Sequence, residues 1–370
     1  MIYADNAATT KLDNDAFEAM RPFLIEEYGN ASQPYSFARI SKKALKVARE
    51  TIANCIGALP EEIYFTSCGT ESDNWAIKCT MHGGSGMIIT SKVEHHAVLH
   101  SCAALERLGI QVEYLPVDAL CVVQPNSLNE SITRETKLVS IMMANNEVGS
   151  IQPIQKLAAI AHEHGVWFHT DAVQAVGHIP IDVNDLGIDM LSASAHKFHG
   201  PKGIGFLYIR KGVEILPYVD GGAQESGKRA GTENVACILG MATALRKCCD
   251  NMDEVIEKLR MLEIRLIDQL QYAGLDFLRN GNKGLPGNIS LSFRDVDGEM
   301  LLHRLDLMGI CISTGSACDS INTHVSHVIK AMHVSEEYAK GTIRISLGKY
   351  NTVEEVDRIA EALIQVLMEK

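Results

Sequence analysis

Lys197 lies in the run Ser194-Ala195-His196-Lys197-Phe198-His199-Gly200-Pro201-Lys202-Gly203, directly after an apolar stretch that reads as a strand. The carboxyl end of a strand is the edge on which open α/β sheets bind ligands. Taken alone, a lysine in such a turn is commonly a solvated loop charge. Hemmed in by Ser, His and Gly, its amine can be stripped of water, and desolvation turns an amine into a nucleophile toward carbonyl groups. Asp171, in His169-Thr170-Asp171-Ala172-Val173-Gln174, ends another apolar stretch. An acid there commonly caps the next helix. It also suits a buried carboxylate set against a pyridine nitrogen, which keeps that nitrogen protonated and makes the ring an electron sink. Asp171 and Lys197 fall at the ends of neighbouring predicted strands, the placement such a pair requires.

A third element is Phe65-Thr66-Ser67-Cys68-Gly69-Thr70-Glu71-Ser72, where a strand-like run passes through small residues into a helix. Free backbone N–H groups and the helix dipole make such a turn a cradle for an anion. The chain has neither the G-x-x-x-x-G-K-[ST] phosphate loop nor a G-x-G-x-x-G after a strand, which counts against nucleoside triphosphates and dinucleotides. The ten cysteines lack C-x-x-C spacing, and several sit in apolar runs such as Ala236-Cys237-Ile238-Leu239, where they read as small buried hydrophobes. Cys318 differs. In Ile312-Ser313-Thr314-Gly315-Ser316-Ala317-Cys318-Asp319-Ser320 it stands among small polar residues, which predicts an exposed loop where a thiol can ionise and react. Arg344 stands in the alternating strand Thr342-Ile343-Arg344-Ile345-Ser346. An inward guanidinium there needs a carboxylate partner, and bidentate capture of a substrate carboxylate suits it. His95-His96, His162-x-His164 and His324-x-x-His327 combine with no cysteine or carboxylate at a zinc spacing, so no metal site is expected.

The elements that must position these residues follow from periodicity. Short β-rich runs at 63–66, 87–90, 138–143, 166–169 and 190–192 mostly alternate with helical stretches such as 97–108 and 154–164. That alternation predicts an α/β fold, a mainly parallel sheet flanked by helices, to which 203–210 adds a further strand. Residues 235–272 read as one long helical pattern with Val255, Leu259, Leu262, Leu266 and Leu270 on one face. The remainder reads as a smaller α+β unit, with strands at 288–293 and 341–347 and helices at 298–307 and 353–368. The last helix opens on a capping box between Thr352 and Glu355. At 370 residues the chain exceeds one comfortable core. The division expected is a large domain over 14–255 and a small domain formed by 1–13 and 256–370, the latter carrying the Cys318 loop. Apolar residues at 46% and charged residues at 22% are ordinary for a soluble globular protein, and a net charge of −12 argues against a nucleic-acid partner. No apolar run reaches membrane-spanning length, and Met1-Ile2-Tyr3-Ala4-Asp5 is no signal-peptide start, so the expected compartment is the cytoplasm.

Taken in order, these segments resemble the cysteine desulfurases of the NifS/IscS type, within the class V aminotransferase group of fold-type-I pyridoxal-phosphate enzymes. The resemblance runs from Tyr3-Ala4-Asp5-Asn6-Ala7-Ala8-Thr9-Thr10 to Arg344-Ile345-Ser346-Leu347-Gly348. It implies the PLP-dependent transferase fold of type I, pyridoxal 5'-phosphate as cofactor, and L-cysteine as substrate, whose sulfur becomes a persulfide on Cys318 while L-alanine leaves. It further implies that Lys197 carries the cofactor, that His95 in Val93-Glu94-His95-His96 stacks on the ring and moves protons, and that Asp171 pairs with the ring nitrogen. Gln174 and Asn146 would lie near the phenolic oxygen, and Asn146 would share the substrate site with Arg344, which grips the carboxylate. Gly69, Thr70, Ser194 and His196 would hold the phosphate. Thr232, in Arg229-Ala230-Gly231-Thr232-Glu233-Asn234, would reach the phosphate of a neighbouring subunit, which implies a homodimer. The resemblance also implies a sulfur-acceptor protein, an iron–sulfur scaffold or a tRNA-thiolation enzyme, and in the first case Cys318 as a transient iron–sulfur ligand.

The chain departs from the family pattern in places. Cys68-Gly69 precedes Thr70 where Gly-Ala or Gly-Gly is frequent, Ala195 replaces a frequent glycine, and Ser226 takes the place of a common arginine. Asp319 follows Cys318 where Ser or Thr is usual; its charge is expected to raise the thiol's pKa and slow persulfide formation. The chain ends soon after its last predicted helix, without the longer tail of some relatives through which a scaffold would dock. A selenocysteine lyase or another class V aminotransferase-like enzyme would share Lys197, Asp171 and the phosphate cradle, whereas Gly315-Ser316-Ala317-Cys318 favours desulfuration.

Overall fold

A computed structural model describes residues 1–81, 86–282, 284–315 and 325–369; Cys318, Asp319 and His324 lie outside the described residues. In chain order the strands are β1 (Ile2–Tyr3), β2 (Ile63–Thr66), β3 (Met87–Ser91), β4 (Gln111–Leu115), β5 (Thr136–Ser140), β6 (Trp167–Asp171), β7 (Met190–Ser194), β8 (Gly205–Ile209), β9 (Phe277–Arg279), β10 (Asn288–Phe293), β11 (Ile310–Cys311) and β12 (Thr342–Ser346). The α-helices are α1 (Asn14–Ile25), α2 (Arg39–Cys55), α3 (Gly69–Thr80), α4 (His96–Glu106), α5 (Pro125–Ser131), α6 (Ile154–Glu163), α7 (Val235–Asp250), α8 (Met252–Tyr272), α9 (Gly298–Leu307), α10 (His327–Ala331), α11 (Glu336–Ala339) and α12 (Val353–Met368).

A seven-stranded sheet in the order β2-β8-β7-β6-β5-β3-β4 forms the centre, and within it only β8 runs against the others. Met87-Ile88-Ile89-Thr90-Ser91 is buried along its whole length, as a parallel strand covered on both faces must be. One face packs under α3 and α4 through Trp75, Ile77, Val98 and Cys102 against Leu138, Met190 and Leu207. On the other, Ile52, Leu157 and Met241 meet Phe168 and Phe206. Edge strand β4 is absent from the sequence reading because Gln111 and Glu113 alternate with half-buried Val112 and Tyr114, leaving no continuous apolar run.

The predicted strand at 138–143 ends earlier, at Ser140, yet the chain keeps pairing beyond it: Ile141 N donates to His169 O (3.1 Å) and Met143 N to Asp171 O (2.8 Å). The single helix expected over 235–272 is two helices. Asn251 breaks it with φ −114° and ψ 15°, its Nδ2 capping Lys247 O at 2.8 Å, and Asp253 and Glu254 then enter the first turn of α8, where the helix dipole favours acids. Beyond the break, Leu259, Leu262, Leu266 and Leu270 join Ile359 and Leu363 of α12 and Ile289, Leu291, Ile343 and Ile345 of the antiparallel β12-β10-β9 sheet in a second core. The capping box is present: Glu355 N donates to Thr352 Oγ1 and Thr352 N to Glu355 Oε2, both at 3.3 Å.

Two backbone features tie distant segments of the chain to one another. The N-terminal arm pairs β1 with β11, Ser346 N donates to Ala4 O (2.7 Å), and Ala7 N donates to Ser346 Oγ (2.9 Å), which carries Ala7 and Ala8 across to the large sheet. In the connection after β8, Glu225 and Ser226 adopt positive φ (47° and 58°), a region that favours glycine. Buried Glu225 is held there by Arg49 Nη1 and Nη2 (2.8 and 2.6 Å) and by Phe65 N (2.9 Å). Removing one partner of a desolvated ion pair costs about 3–5 kcal/mol. Glu225→Ala is therefore expected to lower the denaturant midpoint by that equivalent, and a change typical of an exposed pair, below about 1 kcal/mol, would contradict this reading.

Candidate active site

The loops leaving the carboxyl ends of β2, β3, β5, β6 and β7 converge on a cavity of about 300 Å³. Gly69, Thr70, His95, Asn146, Asp171, Gln174, Ser194, His196, Lys197 and Arg344 line it. Of the residues singled out from sequence, Thr232 does not line it and is exposed, and Cys318 lies outside the described residues. A second cavity of about 310 Å³ shares Ala7 and Gln174 with the first, but Lys197, Asp171 and the turn at Gly69 open only into the first. Convergence of titratable groups, rather than size, identifies the candidate site.

Lys197 Nζ donates to Ala7 O (2.6 Å) and Ala8 O (2.8 Å), so the N-terminal arm holds the amine at the cavity wall. Behind it, His178 Nε2 donates to Lys197 O at 2.9 Å. Asp171, at the end of β6, accepts from Val173 N (2.9 Å); burial raises its carboxyl pKa, opposed by that hydrogen bond and by the charge of Lys197. Beside it lies Asp73, which sequence reasoning passed over as part of a polar helix turn. Asp73 is buried and its Oδ1 has no hydrogen-bond partner among the described residues. Burial first, and the neighbouring Asp171 charge second, raise its pKa well above the ordinary carboxylate value. His169 crosses the sheet between Ser140 Oγ (2.8 Å) and Ser192 Oγ (3.0 Å), and burial lowers its pKa to about 3.

The turn proposed as an anion cradle lines the cavity through Cys68, Gly69 and Thr70. Helix α3 starts at Gly69, and Cys68 at its N-cap contributes no side-chain cap to the first-turn N–H groups. A Cβ on Gly69 would stand 2.5 Å from Val173 Cγ2, so only glycine permits this close approach. His196 Nδ1 lies 3.1 Å from Thr9 Oγ1. His95 caps α4 by accepting from Ala97 N at Nδ1 (3.1 Å), which leaves the proton of the neutral ring on Nε2. Burial first and the Lys197 charge next lower the pKa of both imidazoles to about 4. Protonation therefore favours the unfolded chain: the stability these rings contribute is intact above about 6.5 and is lost as pH falls toward 4. Imidazole NMR titration of the cofactor-free protein is expected to place both midpoints near 4, and ordinary midpoints near 6.5 would contradict the burial argument.

Arg344 is 3% exposed on β12. The sequence left its carboxylate partner open between the chain and a substrate. Asp5 Oδ1 takes Nη2 (2.7 Å), Asn146 O takes Nη1 (3.0 Å), and Nε is buried without a partner among the described residues. Glu147 is another residue that sequence reasoning missed; buried, it accepts from Ser326 Oγ (2.6 Å) and backs against Gly315. The expectation of buried cysteines needs correction. Cys102 and Cys121 are buried, whereas Cys55, Cys68, Cys79, Cys237, Cys248, Cys249 and Cys311 are partly exposed; of these, Cys55, Cys79, Cys237, Cys248 and Cys249 lie in the end turns of helices.

These groups fit pyridoxal phosphate. The uncapped α3 start with Ser194 and His196 suits the phosphate, Asp171 a ring nitrogen, the Lys197 amine an aldehyde, and the partnerless Nε of Arg344 a carboxylate. Comparison with known proteins points the same way. The aminotransferase class-V family model matches residues 2–359. A protein of Dictyoglomus turgidum named cysteine desulfurase IscS is 50% identical over 99% of this chain and 94% of its own length. Among solved structures, a NifS-like protein superposes with a TM-score of 0.94 at 39% identity, covering 100% of both chains. A structure titled SspA in complex with cysteine gives a TM-score of 0.85 at 36% identity over 95% of this chain and 100% of that one.

Proposed function

The chain belongs to the aminotransferase class-V family, and on that premise we propose that it is a cysteine desulfurase, converting L-cysteine to L-alanine with pyridoxal phosphate held on Lys197 and the sulfur captured by Cys318. The observation that carries this is the meeting of Lys197, Asp171 and the uncapped α3 start in one cavity with the buried Nε of Arg344.

When bound, pyridoxal phosphate supplies an aldehyde for amine exchange and a ring that accepts the electron pair left when the substrate Cα loses its proton. Each remaining task falls to the chain. The Lys197 amine anchors the cofactor and, once released, takes and returns a proton at the substrate Cα. Asp171, in its buried wall, holds a proton at the ring nitrogen, and neutral His95 exchanges protons through Nε2. Arg344 orients the substrate carboxylate through Nε, with Asp5 and Asn146 fixing the guanidinium plane. The Cys318 thiolate attacks the substrate sulfur: an S–S bond forms as the Cβ–S bond breaks, and the carbon skeleton takes up a proton and leaves as alanine.

Asp171 and Asp73 are predicted to differ sharply. Asp171→Asn removes the charge facing the ring and is expected to lower kcat by about 10²–10⁴-fold. Asp73→Asn changes a carboxyl that burial already biases toward its neutral form and is expected to change kcat less than about tenfold. Steady-state kinetics of the pair checks this, and equal losses would contradict the distinct roles given to the two carboxyls.

Family resemblance supports three further elements of the proposal: a homodimer in which Thr232 completes a neighbour's phosphate site, a sulfur-acceptor protein, and a small unit formed by 1–13 and 256–370 set against a large one over 14–255. Among the described residues no helix is long and apolar enough to cross a membrane, and we place the activity in the cytoplasm. Purified protein with pyridoxal phosphate, L-cysteine and a thiol reductant should yield alanine and sulfide in equal amounts. Pyruvate and ammonia in their place, or no turnover, would overturn the proposal.

A further inference from the structure

Cys55 is the last residue of α2 and Cys249 lies one residue from the end of α7, two helices that pack against each other away from the candidate active site. Each thiol is the strongest electrostatic influence on the other. Both are partly exposed and line one surface cavity, together with Ile56, Val176, Ile179 and Leu245. Cys248, next in sequence, points elsewhere, its Sγ lying 3.4 Å from Phe198 O, so it does not compete for either partner. The environments of the pair differ. The neighbouring Cys55 pulls Cys249 below the ordinary thiol range, with Arg246 a smaller influence in the same direction, whereas Cys249 and burial raise Cys55.

We propose that Cys55 and Cys249 are a thiol–disulfide exchange site, oxidised by a low-molecular-weight disulfide to a bond that joins the ends of α2 and α7. The Cys249 thiolate attacks one sulfur of the small disulfide; that S–S bond breaks and the first small thiolate leaves. Cys55, giving its proton to solvent, then attacks Cys249 Sγ and expels the second small thiolate. The two protein thiols lose two electrons, and the small disulfide gains them and is released as two thiols. The polarity follows from the lower pKa of Cys249, since the thiolate is the nucleophile. No catalytic residue takes part, so the site stands independently of the desulfurase reading.

The test treats cofactor-loaded protein with hydroxyethyl disulfide, blocks remaining thiols by alkylation, and maps peptides without reductant. The expected result is the Cys55 peptide joined to the Cys249 peptide, separating on reduction. Cys55→Ser, or Cys55→Ala should serine disturb the packing, is expected to retain a hydroxyethylthio adduct on Cys249. Cys249→Ser is expected to leave Cys55 unmodified at the same exposure. Alkylation of both thiols in wild-type protein despite excess disulfide, separate adducts on both without a cross-link, or a bond from either to a third cysteine would overturn the proposal. Because the readout is a peptide map, failure of the desulfurase reading would leave this result unchanged.

Discussion

Lys197→Ala is expected to abolish the visible band of the lysine–cofactor linkage and to reduce alanine formation from cysteine by about four orders of magnitude or more. The size follows from two losses at one atom. On the proposed function, the amine held by Ala7 O and Ala8 O serves both as the covalent anchor and as the base for the substrate Cα. The contacts proposed for the phosphate and ring nitrogen are untouched, so equilibrium dialysis should still find pyridoxal phosphate bound, more weakly and reversibly. Lys197→Arg keeps a charge but not a nucleophile and is expected to behave like the alanine variant. Retained absorption and turnover in either variant would move the anchor to another lysine, with Lys202 the nearest in sequence.

Cys318→Ser is the second large effect expected, and it separates binding from sulfur transfer. Arg344, Asn146 and Lys197 remain, so cysteine should still change the cofactor spectrum with a nearly unaltered half-saturation. A serine hydroxyl does not ionise near neutral pH and is a far poorer sulfur acceptor than a thiolate, so sulfide release should fall roughly a thousandfold or more. Asp319→Ser should act in the opposite sense: removing the adjacent negative charge lowers the thiol's pKa and moves the rise of the pH–rate profile to lower pH. Undiminished sulfide release in Cys318→Ser would assign the transfer to a different thiol.

Much of this site is legible in the chain itself, and the reasons are local. Asp171, Lys197 and the Gly69 turn each end an apolar run, so strand-end chemistry points to them before any three-dimensional information. Asp73 was missed because burial, not residue type, gives it a role: Thr70-Glu71-Ser72-Asp73-Asn74 reads as a solvated helix face, yet Asp73 turns inward beside Asp171. The Arg344 partners were equally hidden. Asp5 and Asn146 are distant in sequence, and Asp5 meets the guanidinium only once the N-terminal arm docks on β12. The break between α7 and α8 escaped notice because periodic leucines continue across Asn251, so the apolar pattern outlasts the helix that first carries it.

The central claim is that the amine at the carboxyl edge of the sheet carries the cofactor. Borohydride reduction of the cofactor-loaded protein converts a lysine–cofactor linkage into a stable secondary amine, which peptide mapping then locates. The account predicts a single phosphopyridoxyl group on Lys197. The same group on Lys202 or another lysine, or its absence from protein that turns over cysteine, would contradict it.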